Sequence, residues 1–152
     1  MRLLDILSPN CIKADLKGKT RREVILEMVD LLVKAGLVKD KNKVMDAVME
    51  REKLMSTGIG NGSAIPHAKT NACQKLCAAF GRSSGVPFDA LDEKPVKLVF
   101  LLVTPEAETG PHISALARIS RLLKHKVFKD ALLTAKNEPE IYRLLEEEER
   151  KR

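Results

Sequence analysis

A chain of 152 residues, 44% hydrophobic and 32% charged, has the composition of one globular domain and no room for a second of similar size. Its longest clean apolar run, Leu98 to Val103, falls far short of the ~18 residues of a membrane span, and the N-terminus breaks at Asp5 and Pro9 before a signal-peptide core forms. A net charge of +6 permits an acidic partner, but with no Trp and one Tyr the chain has no stacking platform for single-stranded nucleic acid.

Cys11 to Leu16 reads as an edge strand. Thr20 and Glu23 form a capping box, in which the hydroxyl takes the Glu23 N–H and the carboxylate reaches back. Val24, Ile25, Met28, Leu31 and Leu32 follow at helical spacing, and Gly36 is a natural stop. A second helix starts near Asp40, with Val44, Val48 and Leu54 on one face, and ends before the glycines at 58 to 62. Lys75 to Arg82 alternates Leu76, Ala78 and Phe80 on one face. Val96 to Val103, bounded by Pro95 and Pro105, reads as a central strand covered on both sides. A third helix opens at Gly110-Pro111, with an apolar stripe of Leu116, Ile119, Leu123 and Val127 and a basic face of Arg118, Arg121, His125 and Lys129. Asn137, three residues before Glu140, caps a last helix through Leu145, whose Glu146–Glu149 run reads as a solvated end. Helices before, between and after apolar strands argue an α/β layered sheet. Cys11, Cys73 and Cys77 are sparse and odd in number, which fits a reducing cytoplasm.

The chemistry concentrates between Arg51 and Thr70. Gly58, Gly60 and Gly62, with Asn61 among them, allow a tight turn that exposes backbone N–H groups to an anion such as phosphate. The same spacing suits a plain surface turn. It lacks the Gly-Lys-Ser/Thr ending of an ATP-binding loop and the spacing of a dinucleotide fingerprint. Pro66-His67 then presents an imidazole, whose neutral nitrogen near pH 7 can take a phosphoryl group and pass it on. Arg51, at the end of the second helix, brings a planar fork suited to phosphoryl oxygens, and His112 begins the third helix, where anions gather. Cys73-x₃-Cys77 is not a zinc spacing and three scattered histidines complete no metal site, so neither metal nor cofactor is expected.

These residues resemble the signature of the type-2 IIA proteins of the bacterial phosphoenolpyruvate:sugar phosphotransferase system, the fructose/mannitol and nitrogen-regulatory branch. The matching positions are Arg51-Glu52, Ser56-Thr57-Gly58-Ile59-Gly60-Asn61-Gly62 and Ala64-Ile65-Pro66-His67. The likeness continues through Phe88-Asp89-Ala90-Leu91-Asp92, Pro95-Val96, Pro105, and His112 with Leu116. Ser63 departs from it, standing where a small or apolar residue is expected. The resemblance implies a three-layer α/β/α sandwich around a mixed sheet, spanning 1–152 as one domain. It also implies that His67 is phosphorylated at Nε2 by a phosphohistidine carrier protein, with Arg51 and His112 beside it.

Three readings follow. The first is relay from His67 to a IIB cysteine during sugar uptake. The second is a stand-alone nitrogen-regulatory protein whose modified and unmodified forms favour different transporters or kinases, and the absence of an appended IIB or membrane segment leans towards it. The third is a basic nucleic-acid-binding domain using residues 115–136, which leaves the His67 segment unexplained.

Overall fold

Three helices start where a short polar side chain can take an orphan backbone N–H. In the computed structural model, which describes residues 1–152, Thr20 Oγ1 accepts from Glu23 N, Asp40 from Lys43 N and Asn137 from Glu140 N. The helices they open are α1 (Arg21–Lys34), α2 (Lys41–Leu54) and, last in the chain, α5 (Glu138–Lys151). Gly36, at φ +74°, turns the chain out of α1.

Six strands form one mixed sheet: β1 (Ile12–Lys13), β2 (Gly58–Gly60), β3 (Ser63–Ala64), β4 (His67–Lys69), β5 (Cys77–Val86) and β6 (Val96–Thr104). Their order is β1-β5-β6-β3-β2, with β4 also pairing with β6. β6 is the centre. It runs antiparallel to β5 on one side, and on the other it holds β3 beside Leu98–Val99 and β4 beside Leu102–Thr104, both parallel. Ile65 and Pro66 separate the two short strands, because a proline gives the ladder no N–H. The Ile65 N–H turns instead to Thr57 O, and Pro66 O receives Leu102 N, both at 3.0 Å.

Helices cover both faces, giving the expected three layers. α1 and α2 lie on the face of Val99, Leu101 and Val103. Leu98, Phe100, Leu102 and Thr104 face α3 (Thr109–Leu122), α4 (Lys126–Thr134) and α5. Phe80 and Phe100 pack there with ring centroids 4.8 Å apart, and Arg82 on the same face donates to the carbonyls of Leu132 and Ala135 at the end of α4. One continuous core joins both faces of β6.

Four expectations are corrected. The third helix stops at Leu122, so Val127 leaves the stripe and stands 85% exposed on the separate α4. Leu54 is 83% exposed rather than on the buried face of α2, since it falls in the helix's last turn beyond the sheet. The glycine segment makes the tight turn but as the tip of a short paired hairpin, not with its N–H groups left exposed: Gly58 pairs with Ala64 and Gly60 with Ser63, with Asn61 and Gly62 at φ 54° and 81°. Gly58 is required there, because a Cβ would stand 2.8 Å from that of Ala90. Finally, the acidic tail is not all solvated. Glu148 and Glu149 are buried, and the Glu149 carboxylate accepts the N–H groups of Leu3 and Leu4 and lies 3.5 Å from Arg118.

Candidate functional site

His67 opens β4 and so projects from the sheet in register with Leu102, towards α3. His112, in the first turn of α3, meets it with ring centroids 5.4 Å apart. The two histidines are 45 residues apart in sequence and are joined by the parallel pairing of β4 with β6.

Hydrogen bonding decides the state of each ring. His67 Nδ1 lies 2.7 Å from the carbonyl oxygen of Ile65. A carbonyl only accepts, so Nδ1 carries the proton and Nε2 holds a free lone pair. His67 is half-buried, and burial is the main force holding its pKa below the ordinary value; the Arg51 charge adds to this, while the Ile65 carbonyl and Glu52 oppose it. The ring is therefore neutral and nucleophilic at pH 7. His112 is buried with its Nδ1 2.7 Å from Thr104 Oγ1. Burial, helped by the neighbouring His67 and Lys69, lowers its pKa to about 4. It faces His67 as a neutral ring, and a Thr104 hydroxyl donating to Nδ1 leaves the proton on Nε2.

Arg51, in the last turn of α2, is half-buried and close enough to His67 for its charge to bear on that ring. Its Nη1 donates to Met55 O at 2.7 Å. This bond ties the guanidinium to the chain that leaves α2 and leaves the remaining donors of the fork for a ligand.

Beneath them lies a buried anchor that sequence reasoning missed as such. Glu52 is 3% exposed; it receives the Thr57 hydroxyl, the Thr57 N–H at 3.3 Å and Arg21 Nη1 at 3.3 Å. Arg21 also donates to Phe88 O, as does Ser56 Oγ. These contacts tie α1, the end of α2, the hairpin and the 88–92 loop into one support. Glu52, Ser56 and Thr57 fall in the signature and Phe88 in the likeness that continues beyond it, which was the available signal; Thr104 had none.

His67, Arg51 and His112 are thus brought together. The tip of the glycine hairpin is not. Ser63 stands beside Leu98 and His67 beside Leu102, four residues along β6, or about 13 Å at ~3.3 Å per residue. The Gly58 and Asn61 N–H groups are already taken, by Ser56 Oγ at 3.0 Å and Asp92 Oδ2 at 2.9 Å. Gly60, Asn61 and Gly62 therefore shape a turn and do not cradle a group on His67.

Fold and site together define an α/β/α protein that presents one oriented, neutral imidazole nitrogen beside a guanidinium. The family described as "Phosphoenolpyruvate-dependent sugar phosphotransferase system, EIIA 2" matches residues 5–148, and the chain belongs to it. The fructose-specific EIIA component of Haloferax volcanii is 41% identical over 129 residues, 84% of each chain. The fructose-specific EIIABC component of Bacillus subtilis is 38% identical over 151 residues; these are 99% of this chain but 24% of that relative, so the chain spans about a quarter of its length. The crystal structure of the nitrogen regulatory protein IIA-Ntr from Neisseria meningitidis superposes with a TM-score of 0.86 at 32% identity, covering 93% of this chain and 97% of that one. No helix here is long and apolar enough to cross a membrane.

Proposed function

We propose that this protein carries a phosphoryl group on Nε2 of His67, received from a phosphohistidine carrier protein. The observation that carries the proposal is the 2.7 Å contact of Nδ1 with Ile65 O, which leaves Nε2 as the free nucleophile. In the transfer, Nε2 attacks phosphorus in line as the donor's P–N bond breaks, and that bond's electron pair returns to the donor imidazole. The Nδ1 proton stays, and the Ile65 carbonyl offsets the charge that the substituted ring acquires. In this reading Arg51 and the His112 N–H donate to the equatorial oxygens. No cofactor or metal enters this step.

The rim suits a protein donor. Leu54 and Met55, three and four residues after Arg51, and Ile113, next to His112, are 83%, 68% and 60% exposed. Apolar side chains around a polar centre are what a docking carrier covers. Arg118, one edge of the expected basic face, is instead engaged by the buried Glu149; in this reading the carrier docks on the apolar rim.

For the output we favour nitrogen-regulatory signalling by the phosphorylated and free forms towards a regulated transporter or kinase; the likeness to IIA-Ntr supports it. Relay to a IIB cysteine is the second reading, favoured by the higher identity of the fructose-specific relatives.

The test is incubation with phosphoenolpyruvate, enzyme I and the carrier, with ³¹P NMR of the product. An acid-labile, base-stable phosphate at Nε2, absent from His67→Ala, is expected. A group on Nδ1, or on the His67→Ala protein, refutes the proposal. Adding a IIB domain separates the outputs: rapid loss of the phosphoryl group to its cysteine selects relay.

A further inference from the structure

We propose that the open cleft between the β2–β3 turn, the start of β6 and α4 is a second anion-binding site, separate from His67, for a compact polyanion carrying two or more phosphate groups. Lys94, Lys97, Lys124, Lys126 and Lys129 line it, around a volume of about 570 Å³. The only carboxylate there, Asp130, lies 2.7 Å from Lys126 Nζ and pairs with it. Lys97 and Lys124 make no ion pair, Lys94 has only the nearby Asp92, whose carboxylate is already held by the Asn61 and Lys94 N–H groups, and Lys129 reaches only the Asn61 carbonyl, at 3.3 Å. Ammonium groups from two chain segments, 94–97 and 124–129, thus converge on one concavity closed by the Asn61–Gly62 turn. Their mutual repulsion is relieved by an anion placed between them.

Ser63 is a second, independent observation. It is 1% exposed, and its hydroxyl finds no hydrogen-bond partner in the protein. Such groups are uncommon in folded proteins and call for a reason. Ser63 pairs in parallel with Leu98, so both side chains leave the sheet on the same face, and Leu98 forms part of the cleft's floor. The hydroxyl therefore lies on the side of the sheet that carries the cleft, beneath its lining rather than on it. This is also the one position at which the signature segment carries a polar residue where a small or apolar one is expected.

The lining selects the ligand class. Ammonium groups act as point charges with no planar fork, so they suit charge spread over several oxygens rather than one bidentate group. No aromatic side chain lines the cleft, which leaves nothing for a base to stack on. Convergence of two lysine-bearing segments on one concavity suits a compact ligand, whereas an extended acidic segment needs a strip. The volume lies within the roughly 300–1,000 Å³ of small-molecule sites. Pyrophosphate and tripolyphosphate are the simplest probes of this chemistry.

The test is calorimetric titration of the full chain with pyrophosphate and tripolyphosphate at fixed ionic strength, with an acidic oligopeptide and a DNA duplex as rival ligands. One saturable site is expected, tighter for tripolyphosphate and weakened by added salt. The Lys124→Gln/Lys129→Gln double variant should bind about tenfold or more weaker, because it removes two ammonium–phosphate attractions, each modest near water's dielectric. Ser63→Ala should bind several-fold weaker with its fold intact by circular dichroism, whereas His67→Ala and Arg51→Gln should bind within about twofold of wild type. No saturable heat with either polyphosphate overturns the proposal. So does loss of binding in His67→Ala, which moves the anion to the phosphorylation site. Tight binding of the peptide or duplex without the polyphosphates overturns it in favour of a macromolecular docking surface.

Discussion

Replacing Arg51 with glutamine separates the chemistry of the site from its architecture. The guanidinium has two tasks: Nη1 holds Met55 O at 2.7 Å, and the rest of the fork is free for the phosphoryl oxygens. Glutamine keeps a neutral donor and loses the charge. On the scale of removing one preorganised donor from a developing oxyanion, transfer from the phosphorylated carrier should slow by about 10²–10³-fold, or about 2.7–4 kcal/mol of barrier. The structural task is smaller. One hydrogen bond from a charged donor at a partly exposed helix end is worth about 0.5–1.5 kcal/mol, which for a domain of this size lowers the melting temperature by ~1–6 °C. Arg51→Lys should recover part of the rate, because a point charge cannot bridge two oxygens. The assay is single-turnover quench-flow with purified phospho-carrier, beside a melting curve for each variant. Transfer at the wild-type rate in Arg51→Gln refutes the catalytic role, and a much larger loss of melting temperature makes the residue structural.

Thr104→Val removes the partner of His112 Nδ1 at nearly constant volume. It should slow transfer and change the His112 tautomer in ¹⁵N NMR spectra; an unchanged tautomer means that the threonine does not position the ring. Because the His112 pKa is lowered to about 4 in the folded protein, the unfolded chain binds the extra proton first. Stability should therefore be complete above about pH 6.5 and fall as pH drops from there towards about 4, by up to ~1.4 kcal/mol per pH unit. Denaturant titrations of wild type and His112→Gln across that window test this, and equal slopes contradict it. Glu149→Ala leaves the Leu3 and Leu4 N–H groups and Arg118 without their acceptor, so about 2–4 kcal/mol of stability should be lost. A change below about 0.5 kcal/mol in urea unfolding shows that water replaces the carboxylate there.

What was legible in the chain was local. Thr20, Asp40 and Asn137 announce their helices because a cap is a contact across three residues, and the Val96–Val103 run announces a covered strand because it lacks a polar face. The convergence of His67, Arg51 and His112 was readable only through the family signature, since the β4–β6 pairing that joins them leaves no periodic trace. The break after Leu122 was missed because Leu123 and Val127 keep helical spacing across a turn. The Glu149 contact was missed for the opposite reason: a run of four glutamates looks solvated, and only the distant Leu3 and Leu4 amides make one of them interior. The glycines were read by residue type, and register along β6 decided where their turn lies.

That Glu149 carboxylate has a meaning beyond stability. By gripping the amides of Leu3 and Leu4, it brings the last helix against the first turn of the chain, so the polypeptide enters and leaves the fold at nearly the same point. A domain closed in this way can be spliced into a longer polypeptide as a loop on a thread, with its neighbours kept close whatever its own diameter. The matched segment of the Bacillus subtilis relative makes up about a quarter of a much longer chain.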